Sequence, residues 1–64
     1  MNNYIILKLQ IFHSQDEKEH ISVWMPFNYT LYDNETCQRR IVQCAKNGGE
    51  WSMGKIVNKM IVKL

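Results

Sequence analysis

The sequence predicts an α+β fold: a two-layer ββαβ domain whose three-stranded antiparallel sheet, in the order 2-1-3, packs on one helix. Three observations predict it. Two apolar runs that alternate with period two, residues 4–12 and 20–27, flank a charged turn. A stretch with helical spacing follows at 33–47. A third alternating run occupies 55–64. These elements account for nearly all of the 64 residues, which read as a single domain, 1–64. No length is left for an active-site loop, so the pattern predicts a binding module and not an enzyme.

In the first strand Ile5, Leu7, Leu9 and Ile11 point one way, and Tyr4, Ile6, Lys8, Gln10 and Phe12 point the other. The turn at 14–19 has no apolar residue and no glycine, which fits a loop of four to six residues better than a tight two-residue turn. The second strand puts Ile21, Val23 and Met25 on one face and His20, Ser22 and Trp24 on the other. Pro26 lacks a backbone donor and marks an edge or an end.

Asp33 or Asn34 predicts the helix N-cap, with Glu35 favourable at the positive end of the helix dipole. Cys37, Ile41, Cys44 and Ala45 recur at helical spacing and form one narrow apolar stripe. Lys46-Asn47-Gly48-Gly49 is a stop signal: a cation in the last turn, then glycines free to take positive φ. Residues 50–54 read as a short loop carrying Trp51 and Met53. The last run puts Ile56, Met60, Val62 and Leu64 on one face, interrupted by Asn58, and Lys55, Val57, Lys59, Ile61 and Lys63 on the other.

The hairpin makes the first two strands antiparallel, and the helix returns the chain so that the third runs antiparallel to the first. The first strand, the most continuously apolar, takes the centre. The lysine-bearing third strand takes an edge, where charge discourages unwanted pairing. One helix covers one face. The other face is expected to carry Tyr4, Ile6, Phe12, Trp24, Val57 and Ile61, rimmed by Lys55, Lys59 and Lys63, as a contiguous apolar patch of the kind that marks an interface. These nine residues are the expected partner-binding set.

Composition narrows the chemistry. The chain is 45% apolar and 22% charged, as globular domains are. Its net charge of +2 is too small to predict nucleic-acid binding by itself. No apolar run approaches the length of a membrane span, and the start carries no basic leader, so a reducing cytoplasm is the expected location. The sequons at Asn28 and Asn34 then act as turn and cap residues.

His13, His20, Cys37 and Cys44 are the only candidate soft-metal ligands. The cysteines lie about 10.5 Å apart along a helix, too far to share one ion or to form a disulfide. Cys44 lies on the apolar stripe, where a thiol is inert. Asp16, Glu17 and Glu19 form no spaced acid–base pair; they make a solvated turn that could also dock on a basic surface. No cofactor, metal or catalytic residue is expected.

The order of elements resembles the Dmd antitoxin family of T-even-like phages. The resemblance lies in an apolar opening strand ending in Phe12, a polar turn with Ser14 and Glu17, then Lys18-Glu19-His20-Ile21-Ser22 entering a strand with Met25, a helix and a terminal strand. It covers the chain in outline, with few identities. Residues 26–33 and the Gly48-Gly49 stop depart from it, so no contact residue carries over. The resemblance implies a phage protein in the host cytoplasm that binds a host defence enzyme, an endoribonuclease toxin of the RNase LS type, and occludes its active site. The chain is also similar in build to the small phage inhibitor of uracil-DNA glycosylase, a DNA-repair enzyme, although that inhibitor's acidic character is missing here. A single-stranded nucleic-acid binder using the same sheet face is the alternative from another class. The apolar face could equally close a homodimer.

Overall fold

The computed structural model describes residues 1–64, arranged as β1 (Tyr4–His13), β2 (His20–Pro26), α1 (Asn34–Ala45), β3 (Trp51–Val57) and β4 (Met60–Lys63). The strands form one antiparallel sheet in the order β2-β1-β3-β4. The central position of β1, its pairing with β2 and β3 and the single helix agree with the sequence reading. β2 and β3 are both antiparallel to β1, hence parallel to each other, and α1 is the crossover between them.

Local chemistry explains the element ends. Ser14 and Glu19 close the first hairpin, with the Ser14 amide donating to the Glu19 carbonyl and Glu17 taking φ 61°. The Ser14 hydroxyl and the Lys18 amide both donate to Asp16, which holds that carboxyl below its ordinary range. Asp33 caps α1 by accepting from the Thr36 amide at 2.7 Å. Past the helix, Gly48 and Gly49 take φ of 87° and 89°, a region open to glycine and costly for other residues.

The run at 55–64 is not one strand. It splits at Asn58-Lys59, where φ values of 52° and 63° make a two-residue turn of the type that suits a hairpin's twist. Asn tolerates this left-handed conformation better than most residues. The stretch at 50–54, expected as a loop, is where β3 begins. The sheet therefore has four strands in ββαββ order, with β4 instead of the third strand at the edge.

The helix lies on the side of Ile6, not on the opposite face. Tyr32 pairs with Tyr4 and shares its face, and Arg40 of α1 sits 5.3 Å from the Tyr32 ring. Phe27 packs edge-on against Trp51 at 4.9 Å, and the Trp51 indole donates to the Gly48 carbonyl just past the helix. Under this cover Ile6 is 1% exposed and Cys37 is 0% exposed. Burial pushes the Cys37 thiol up, so it stays protonated and packs as a small apolar group.

The other face covers itself. Ile5 and Leu7 are also buried, at 5% and 2% exposure, although no helix lies over them. The sheet curls into a half-barrel with these residues on its concave side. β2 and β4 are three strand spacings apart, roughly 14 Å in a flat sheet. Yet Lys63 of β4 places its ammonium 5.0 Å from the ring of Trp24 in β2. Gly54 sits inside the bend, where a Cβ would come within 2.9 Å of Ile61, 3.0 Å of Leu7 and 3.1 Å of Ile5.

Beyond Leu9, whose amide still donates to the Glu50 carbonyl just before β3, β1 pairs only with β2, so Gln10–His13 and His20–Val23 form a two-stranded arm. The arm stretches the molecule to 44 × 30 × 17 Å, with a radius of gyration of 13.2 Å. A compact chain of this length would have about 11 Å.

Two outcomes follow. Lys59→Gly raises stability by about 1 kcal/mol in urea unfolding, because it relieves a left-handed non-glycine residue; within a continuous strand the same change would lower it. The Asp33 carboxyl is held below its ordinary range, first by the Thr36 hydrogen bond to its side chain. Its contribution is complete above the unfolded value of about 3.9 and disappears as pH falls through the lower folded value. Asp33→Asn keeps a capping oxygen without a titrating group, so an acid titration followed by circular dichroism loses less helix stability in the variant than in the parent.

Candidate functional site

The strand registers decide which side chains share a surface. β1 pairs with β2 through odd–even partners, such as Leu9 with Trp24 and Phe12 with Ile21. Trp24 therefore faces the concave side with Leu7 and Leu9. The β3–β4 turn reverses the alternation in the same way: Ile56 pairs with Ile61, and Val57 with Met60. Val57 and Ile61, neighbours in a single-strand reading, end on opposite faces.

The nine expected contact residues are thus divided. Tyr4, Ile6, Phe12, Lys55 and Val57 lie on the outer, helix-bearing face. Trp24, Ile61 and Lys63 lie on the concave face. Lys59 is exposed in the turn. Ile6 is buried beneath the helix and is unavailable to a partner. The single bare face expected between them does not exist, because the helix covers its middle.

Apart from Phe27, Tyr29 and Leu31 in the connector before the helix and Val42 on the helix, the apolar side chains that the fold leaves exposed lie mainly at the two ends of the sheet. On the arm, Phe12, Ile21 and Val23 are exposed on the outer face, with Met25 at its base opposite Lys8, and Ile11 is exposed on the concave face. On the β3–β4 hairpin, Val57, Met60 and Val62 are exposed on the outer face. A two-stranded ribbon gains little stability from its own contacts, and apolar residues on both its faces need cover from elsewhere. Sequence reasoning assigned Ile21, Val23 and Met25 to a buried face. The exposure of Ile21 and Val23 follows from β1 being longer than β3, which leaves the arm outside the layered part of the fold; Met25, at the base of the arm, is exposed on the edge strand.

Charge is arranged along the same axis. The arm tip carries Asp16, Glu17 and Glu19 against Lys18. The opposite end, residues 51–64, carries Lys55, Lys59 and Lys63 and no acidic side chain. Three lysines lie over aromatic rings: Lys8 at 5.1 Å from Trp51, Lys55 at 5.9 Å from Tyr4 and Lys63 at 5.0 Å from Trp24. Each is within cation–π range.

His13 and His20 oppose each other across the arm, with ring centroids 5.8 Å apart. Their side chains, with Phe12, Ser14, Glu19 and Ile21, line a shallow cavity of about 250 Å³ at the tip. Cys37 and Cys44 are both free, on the inner stripe of the helix.

No family model, curated protein or solved structure matches the chain.

The concave packing predicts that Gly54→Val destabilises the fold by about 1–3 kcal/mol in chemical denaturation, since the added side chain meets Ile61, Leu7 and Ile5 at once. A flat sheet at this position would accept valine without loss.

Proposed function

We propose that the protein is a stoichiometric inhibitor of another protein, seating its β1–β2 arm on the partner and covering the partner's active cleft. The observation that carries this reading is the row of exposed apolar side chains on the arm and its base, Phe12, Ile21, Val23 and Met25, beside an acidic tip. Interfaces take their binding energy from such apolar anchors, and rim charges set encounter rate and orientation. The acidic tip suits a partner with a basic cleft. The resemblance to the Dmd antitoxins supplies a candidate: a host endoribonuclease toxin of the RNase LS type, whose RNA-binding cleft would be basic. In this reading Lys55 and Lys59, at the far end, steer a second part of the same partner.

A nucleic-acid binder is the competing reading. Against it, the lysines over Trp51, Tyr4 and Trp24 occupy ring faces on which bases would stack.

The test is an RNA-cleavage assay with a purified toxin of that type. Cleavage stops near one equivalent of inhibitor. Phe12→Asp raises the required concentration roughly 30-fold, a loss of about 2 kcal/mol for a charge placed at an interface centre. Unimpeded cleavage at large excess contradicts the proposed partner. Tight binding to single-stranded RNA that falls steeply with salt contradicts the protein-binding reading as a whole.

A further inference from the structure

We propose that two copies of the chain close edge to edge into one eight-stranded antiparallel barrel, with β4 of each copy pairing with β2 of the other.

Strand direction permits it. β1 and β4 run one way, and β2 and β3 run the other. A two-fold axis along the barrel preserves directions, so each β4 meets an antiparallel β2. The sheet already has the required curvature: inward side chains from its two edges, Trp24 and Lys63, meet across the concave side at 5.0 Å. An eight-stranded barrel has an interior that side chains just fill.

The free backbone groups agree. In an antiparallel pair, residues alternate between bonding to their partner and pointing away from it. The Phe27 amide donates to Ile6 and the Ser14 amide to Glu19, so the groups of Met25, Val23 and Ile21 also turn toward β1. Those of Trp24, Ser22 and His20 turn outward. On the other edge the Leu64 amide donates to Met53, so Val62 and Met60 turn toward β3, and Ile61 and Lys63 turn outward. The outward residues on both edges have side chains on the concave face. Joining the edges therefore continues the concave face of one copy into that of the other; with the opposite parity on either edge, it would not.

One register stands out. Pairing Ile61 with Trp24 of the second copy, and Lys63 with its Ser22, brings three apolar pairs together on the outer surface: Met60 with Met25, Val62 with Val23, and Leu64 with Ile21. All six residues are exposed in the single chain. Sliding by two residues one way sets Ile61 opposite Pro26, which has no donor; sliding the other way sets Leu64 against Glu19. The chosen register also runs the Lys63 end toward the acidic turn of the second copy. Ile61 lies level with Asn3 through Ile56, whereas Trp24 lies level with Leu9. Each junction thus steps the ladder along β1, the stagger that tilted strands in a closed barrel require. Closure removes both free edges, the liability of any open sheet.

Sedimentation equilibrium and amide hydrogen exchange on the intact chain test this. The expected mass at micromolar concentration is twice that of the 7.6 kDa chain. The amides of Ser22, Trp24, Ile61 and Lys63, which point away from their own sheet, exchange roughly tenfold or more slowly than exposed amides, and more slowly still as concentration rises. Ser22→Pro removes one outward donor without breaking an internal bond, and yields the single-chain mass. A single-chain mass for the parent, or a dimer whose four amides exchange as freely as exposed ones, overturns the barrel. Persistence of the dimer in a folded Ser22→Pro variant does so as well; should that variant not fold, exchange in the parent decides.

Discussion

The fold depends on Ile5-Ile6-Leu7, three consecutive strand residues that are all buried. Successive side chains in a strand point to opposite faces, so burying three in a row requires cover on both sides of β1. One helix supplies one side. The sheet supplies the other by curling, and the curl in turn requires Gly54 at the bend and brings the β2 and β4 edges toward each other. With so little apolar surface enclosed, a domain of this size is marginal alone and gains from any partner that covers more.

Curling also sorts the remaining side chains by role. Those on the concave side, including Trp24, Ile56 and Ile61, extend the core or close it against another copy. Those on the outer side beyond the helix, Phe12 on the arm and Val57 on the hairpin, face whatever the protein meets. The outer rows of β2 and β4 lie on opposite edges of one sheet. Edge-to-edge closure would make them a single strip, so assembly and partner recognition would draw on adjacent surfaces of the same two strands.

Much of this was legible in the residues. Period-two alternation placed β1 and β2, and the Asp33 cap and Gly48-Gly49 stop bracketed the helix to within a few residues. The missing strand had a signal in Asn58, which interrupts the last alternating run where a left-handed turn is needed. The division of the contact residues was harder to see. It depends on the parity of two loops: the first hairpin pairs odd residues with even ones, and a two-residue turn does the same in the second. Nor does alternation say which apolar face of β1 takes the helix, since both are apolar. The aromatic residues flanking the crossover, Phe27, Tyr32 and Trp51, mark that side once their strand parity is known.

The central claim is that the sheet curls until its edges face each other across a shared interior. Nuclear Overhauser contacts between the Trp24 indole and the Lys63 ε-methylene, recorded with isotope filtering so that only contacts within one chain appear, measure it directly. A curled sheet predicts clear contacts, together with an upfield ring-current shift of the Lys63 ε-protons. Their absence, with the β1–β3 and β3–β4 cross-strand contacts intact, would mean an open, flat sheet and would contradict the claim.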